Sequence, residues 1–478
     1  MSDPRDQRIA ELESRVAAQD TQLAAKDAEI AALNRKVEDL TQMVLMLKER
    51  LDRNSGNSGK PPSSDSPDQR AERRGKAATG GKRGGQPGHS GSKRELLPKE
   101  QVNEFKPLFP DECANCFCPL PQTPDAVKRY QTIDLPVLKP HVIEWLRHRV
   151  GCPRCRHQTW ANIAPIPATP FGPRVEAVIG LVTGVFHLSR RVGVTLMSDI
   201  LGIDISLGAL SAVEERVSEA TKLPVAEVWA KTDEAAVKHT DGTSWYQAGV
   251  LCALWTIATS AVTVFKILTD GKATTLAPLF GRKLGILVSD RATALNFWAM
   301  EKRQVCWAHL LRKGISFSER DGPSGAVGRE LLDYIAIIFG HWHRLKDGTL
   351  SRDEFRALMA PVRVRVEALL ERAAKSKLPH VSGSCEDILK HRAALWTFVD
   401  TEGVEPTNNH AERELRAFVL WRKRSFGTQS HRGNLYAERL MTVAHTARKQ
   451  KRNVLEFLTA CCAAARTGAP PPSLFAAT

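Results

Sequence analysis

No stretch of this 478-residue chain approaches the roughly 20 consecutive apolar residues that a membrane helix requires, so no membrane-spanning protein is expected. The start, Met1 to Asp6, is polar and acidic, unlike a secretory signal, and a cytoplasmic protein is expected. Ten cysteines in a chain of this size are too few for a disulfide framework. Acidic residues are also in short supply, 53 against 68 Lys and Arg, leaving a net charge of +15. That surplus says little about fold but favours a polyanionic partner, with nucleic acid, ribosome and membrane surface alike at this level. The length exceeds one hydrophobic core and suggests roughly three domains.

Residues 9–51 carry heptads whose first core position is always apolar: Ile9, Val16, Leu23, Ile30, Val37, Val44 and Leu51. The second holds Leu12, Gln19, Lys26, Leu33, Leu40 and Leu47, so the seam is polar in its middle. A coiled coil over 1–53 that makes a homo-oligomer is expected; the alternative is an amphipathic helix docked on the body. Residues 54–100 then turn to Gly, Ser, Pro and positive charge, a linker that cannot bury enough surface to order itself. Within it Arg73, Arg74, Lys82 and Arg83 are candidate DNA contacts, although a solvated linker reads the same composition.

Cys113-Ala-Asn-Cys116 and Cys152-Pro-Arg-Cys155 supply four thiolates at the spacing of structural Zn²⁺, defining a zinc-binding module over 101–165. Cys118 is a competing ligand, and a small β insertion such as 130–150 can fill the gap between the pairs. Residues 166–235 read as helical. Arg190 to Leu201, a turn at Gly202 to Ile205, and Ser206 to Val217 match a helix-turn-helix and equally a structural hairpin.

Three carboxylates carry the chemical argument. Asp241 stands in Lys-His-Thr-Asp-Gly-Thr, just before or on a strand read over 246–257, and Asp290 closes the apolar run 285–289. Glu412 falls in the first turn of a helix that starts near Asn408. Each has an ordinary explanation as a turn former, a cap or an ion-pair partner. Together, in a basic chain, they read as a divalent-metal site for phosphodiester chemistry, in which two hard cations about 3.5–4 Å apart assist attack and departure of oxygens. Magnesium, or Mn²⁺, suits such oxygen ligands. Residues 412–452 hold eleven Lys and Arg against three Glu, and Arg416, Arg422, Lys423 and Arg424 among them are candidate contacts to double-stranded DNA. Between 324 and 403 helical periodicity returns, an all-α insertion in an α/β unit spanning 236–323 and 404–466, ahead of a tail over 467–478.

The coiled coil, Asn54-Ser-Gly-Asn-Ser-Gly-Lys-Pro-Pro-Ser, Gly84-Gly-Gln-Pro-Gly-His89, the paired CxxC knuckles, Cys306-Trp-Ala-His309 and Asn408-Asn-His-Ala-Glu-Arg413 together resemble the insertion sequence 66 family of transposases. The resemblance implies a multidomain α+β protein with an RNase H-like catalytic core. It also implies a DDE triad of Asp241, Asp290 and Glu412 holding Mg²⁺, and DNA partners that are element ends and target. A nucleoid-associated location is expected as well, and the sequence leaves open whether accessory proteins of the same element take part. Trp421-Arg-Lys-Arg-Ser-Phe-Gly427 fits the pattern after the glutamate and favours Glu412 over Glu414. The chain departs at Gly242 and Thr407, where family members often carry acids. A non-catalytic DNA-binding protein and a nuclease without strand transfer are the alternatives.

Overall fold

The computed structural model describes residues 95–163 and 167–475, with parts of 15–44 and 65–71. Arg73, Arg74, Lys82 and Arg83 lie outside the described residues. Near the N-terminus, 19–23 and 25–37 are helical, and Leu23, Ile30, Leu33 and Val37 are each more than half exposed. Two compact units follow the chain, one of 288–291 and 299–407 with the described part of 1–77, the other of 78–287, 292–298 and 408–478.

In the second unit, β1 (Arg149–Gly151) and β2 (Gln158–Trp160) form a hairpin around the second CxxC pair. Strand structure therefore flanks that knuckle instead of filling 130–150, where only Arg149 and Val150 are extended into a ladder. Helix α1 (Pro173–Ile179) leads through a π-helical turn to α2 (Arg190–Leu201), α3 (Leu207–Ala220) and α4 (Lys222–Glu234). Ser189 and Ser206 accept hydrogen bonds from Val192 N and Ala209 N at the starts of α2 and α3, and Gly202, at φ 62°, ends α2 in the left-handed region.

The sheet begins with β3 (Val237–Gln247), β4 (Val250–Ala258) and β5 (Thr263–Leu268), an antiparallel meander in which Asp241 faces Thr256 and Gly242 faces Trp255. With β6 (Ile286–Ser289) and β7 (Arg303–Val305) the order is β5-β4-β3-β6-β7, placing β3 at the centre. The expected strand over 246–257 is corrected: Ala248 and Gly249, at φ 49° and 81°, form a tight turn inside it, and the polar run before them is the central strand. That run escapes strand patterning because its buried polar groups are paired. Lys238, 1% exposed, donates from Nζ to the carbonyls of Ala235 at 2.6 Å and Leu284 at 2.7 Å.

The other unit is mainly helical: α5 (Trp307–Ser318), α6 (Gly322–Lys346), α7 (Arg352–Lys375) and α8 (Ser382–Leu389) pack in succession. Ser351 and Glu354 close a capping box at the start of α7. Leu331, Ile335, Ile338, Phe355, Val366 and Leu370 recur at helical spacing and are buried, whereas Leu358 faces outward at 38% exposure.

The chain then returns as α9 (Asn409–Ser425), α10 (His431–Lys449) and α11 (Val454–Thr467) in the sheet-bearing unit. Helix α10 covers the edge strand β5. Glu438 Oε1, Thr442 Oγ1 and Thr446 Oγ1 accept from the backbone N–H groups of Ile267 (2.8 Å), Phe265 (3.2 Å) and Thr263 (3.2 Å). The match is geometric: four helical residues rise about 6 Å and two strand residues about 6.6 Å, so every fourth side chain meets every second amide. An edge that would otherwise offer free donors is closed.

Candidate active site

Asp241 is the fifth residue of β3, and its Oδ1 accepts from Gly242 N at 2.9 Å. The glycine beside it has a local cause. A Cβ at Gly242 would lie 2.9 Å from the ring of Trp255, its cross-strand partner, so the indole leaves no room for a side chain here.

Glu412 lies in the first turn of α9, which packs on β3 and β4. Asn408 precedes this helix, but its side chain makes no capping hydrogen bond. Its Nδ2 donates instead to the carbonyl of Thr240 at 2.8 Å, and its Oδ1 lies 3.3 Å from His239 Nδ1. The start of the glutamate helix is thereby fastened to the residue before Asp241. At the far end Arg422 donates to Thr243 Oγ1 at 3.0 Å and to Ser244, a second tie between helix and strand.

Glu414, two residues on, is committed elsewhere. Its Oε2 lies 2.5 Å from His445 Nδ1, and its Oε1 lies 3.3 Å from Lys449 Nζ and 3.6 Å from His410 Nε2. Burial raises the carboxyl's affinity for a proton, but hydrogen bonds from His410 and His445 and the charge of Lys449 outweigh it and hold Glu414 below the usual carboxylate range.

Asp290 directly follows β6 and belongs to the helical unit. Arg303 on β7 is fully buried and donates from one nitrogen to Ser289 Oγ at 3.2 Å and to the carbonyl of Asp290 at 3.1 Å. Ser289 Oγ also donates to the Asp290 carbonyl, and Cys306 N to the Ser289 carbonyl, both at 2.9 Å. Burial lowers the pKa of Arg303, and the charge of Asp290 opposes that shift. The structure thus brings Asp241 and Glu412 onto packed elements of one unit, while Asp290 directly follows β6 and belongs to the other.

Of the basic candidates, Arg416, Lys423 and Arg424 are exposed on α9, whereas Arg422 is part of the helix-to-strand tie. The cysteine pairs share one backbone form. Phe117 N and Arg156 N donate back to the carbonyls of Cys113 and Cys152 at 2.9 and 2.8 Å, and both residues take positive φ, 59° and 60°. Cys118 Sγ lies 3.1 Å from Cys116 Sγ.

A family profile described as Transposase IS66 family matches residues 188–435, more than half of the chain, and spans all three acids. The chain belongs to the IS66 transposase family. A second profile, for a family of unknown function (DUF6444), matches residues 1–95 of this IS66 transposase. No curated protein matches the chain. The sequence marks Asn408 only as a capping candidate, whereas its side chain ties the Glu412 helix to Thr240 and His239; the contact of Trp255 with Gly242 has no sequence signal. The polar pair Asn408 and Asn409 before the helix was the available signal, and it reads equally well as ordinary capping.

Proposed function

We propose that this IS66-family chain is a DDE-type DNA transposase whose Asp241, Asp290 and Glu412 hold Mg²⁺ or Mn²⁺ and act on the ends of a mobile element. The observation that carries this reading is the fastening of the Glu412 helix to the Asp241 strand through Asn408. A three-stranded meander followed by two further strands supports an RNase H-like core. The donor set fits the metal: three carboxylates are hard oxygen ligands, and the nearby Glu414 is already engaged by Lys449 and His445. Bound there, divalent cations would stabilise charge on the attacking and departing oxygens of a phosphodiester. Water attack frees a 3′ hydroxyl, and that hydroxyl then attacks target DNA. Arg416, Lys423 and Arg424 would contact the DNA backbone, with Arg73, Arg74, Lys82 and Arg83 of the linker as further candidates.

The CxxC knuckles fit structural Zn²⁺ by their paired backbone form and thiol donors, with Cys113, Cys116, Cys152 and Cys155 as ligands. The half-exposed apolar stripe on residues 19–37 supports self-association through a coiled coil. Helix α3 contributes packing more than base reading, because Leu210, Val213 and Val217 are fully buried and its outer Glu215 and Glu219 pair with Arg432 and Arg439. Element-encoded accessory proteins and a nucleoid location complete the reading. Purified protein, Mg²⁺ and end-containing DNA should give cut and joined products, with none from Asp290→Ala; undiminished products from that variant would refute the assignment.

A further inference from the structure

We propose that Phe426 is a stacking platform for an unpaired DNA base beside the active site, an inference that rests on the DNA-processing reading above. Phe426 ends α9 at φ 57° and ψ 24°, the left-handed conformation that helix ends usually assign to glycine. Its side chain is 79% exposed, so an apolar residue occupies a strained position with little burial to offset it.

The strain is built in by the surroundings. Phe426 N donates to the Arg422 carbonyl at 2.8 Å, Gly427 N to Ser425 Oγ at 3.3 Å, and Thr428 N to the Tyr246 carbonyl at 2.9 Å. Ala248 N returns a bond to Thr428 O at 2.8 Å, so the loop is joined to the end of β3. Gly427, at φ 97°, is required there, because a Cβ would sit 2.1 Å from Tyr246 O. Phe426 is therefore presented on a rigid mount attached to the strand that carries Asp241. Tyr246 stands five residue steps beyond Asp241 along the strand, about 17 Å at ~3.3 Å per residue, or roughly five base steps.

The neighbourhood selects the ligand. Exposed Lys423 and Arg424 precede Phe426, and Tyr246, Val250 and Leu251 on the adjoining hairpin are 37%, 67% and 59% exposed. Cations for phosphates beside an aromatic face for bases is the arrangement that binds single-stranded nucleic acid. Paired bases hide their faces, so the ligand is a base left unpaired near the cleaved end.

Fluorescence anisotropy of the full chain at fixed salt, with a labelled 20-nucleotide single strand and the blunt duplex of the same sequence, tests this. Phe426→Gly should bind the single strand roughly 5- to 100-fold more weakly, the span expected from losing one stacked base. Duplex affinity should stay within about two-fold, the melting temperature should hold or rise because glycine relieves the backbone, and Phe426→Trp should restore single-strand binding. Equal single-strand affinity for wild type and Phe426→Gly, equal losses on both ligands, or failure of Phe426→Trp would overturn the inference while leaving the transposase reading intact. A wild-type chain that binds neither DNA would overturn both.

Discussion

At the scale of single residues, the two glutamates of α9 separate most clearly. Glu412→Gln should abolish Mg²⁺-dependent cleavage while leaving the unfolding midpoint nearly unchanged. Glu414→Gln should do the reverse, costing roughly 1–3 kcal/mol by stranding His445 and Lys449 while retaining cleavage, as paired gel assays and urea titrations would show. Gly242→Asp drives a Cβ into the buried Trp255 ring and should lower stability by about 1–3 kcal/mol, with partial recovery when Trp255→Val opens the space. His187 gives a pH signature. It stacks on Trp421 at 4.4 Å, and burial, with the nearby His445, Arg424 and Arg448 charges, pushes its pKa down to about 4. The folded state then binds that proton later than the unfolded chain does. Its contribution is full above pH ~6.5 and is lost as pH falls toward 4, so urea midpoints of His187→Phe should show a shallower decline than wild type across that window. The three acids are picked out by spacing and setting and their shared role is a proposal, whereas the crowding at Gly242 depends on a partner thirteen positions away across a hairpin.

Among elements, the helices announced themselves through apolar periodicity and caps, as the buried faces of α6 and α7 show. Strand β3 did not, because Lys238, His239 and Thr240 are polar yet buried, and nothing in the local pattern reveals that carbonyls from two other segments receive the Lys238 ammonium. The edge closure by α10 was likewise invisible, since Glu438, Thr442 and Thr446 look like an ordinary polar stripe. Thr442→Val keeps the volume but removes the acceptor for Phe265 N. It should cost roughly 1–3 kcal/mol and speed amide exchange at Phe265 more than at β4, as hydrogen-exchange mass spectrometry would report.

At the scale of the whole molecule, Leu23, Ile30, Leu33 and Val37 leave an apolar stripe more than half exposed near the N-terminus. Leu33→Asp with Leu40→Asp should reduce the mass measured by light scattering to that of a single 52.8 kDa chain, if the exposed stripe is the association surface. The proposed function rests on three acids, remote in sequence, that would share divalent cations. The most direct measurement is anomalous diffraction from crystals of the full chain with DNA and Mn²⁺. The account predicts manganese peaks within coordination distance of carboxylate oxygens from Asp241, Asp290 and Glu412. Peaks bound elsewhere, or any one of the three carboxylates remote from the metal, would contradict it.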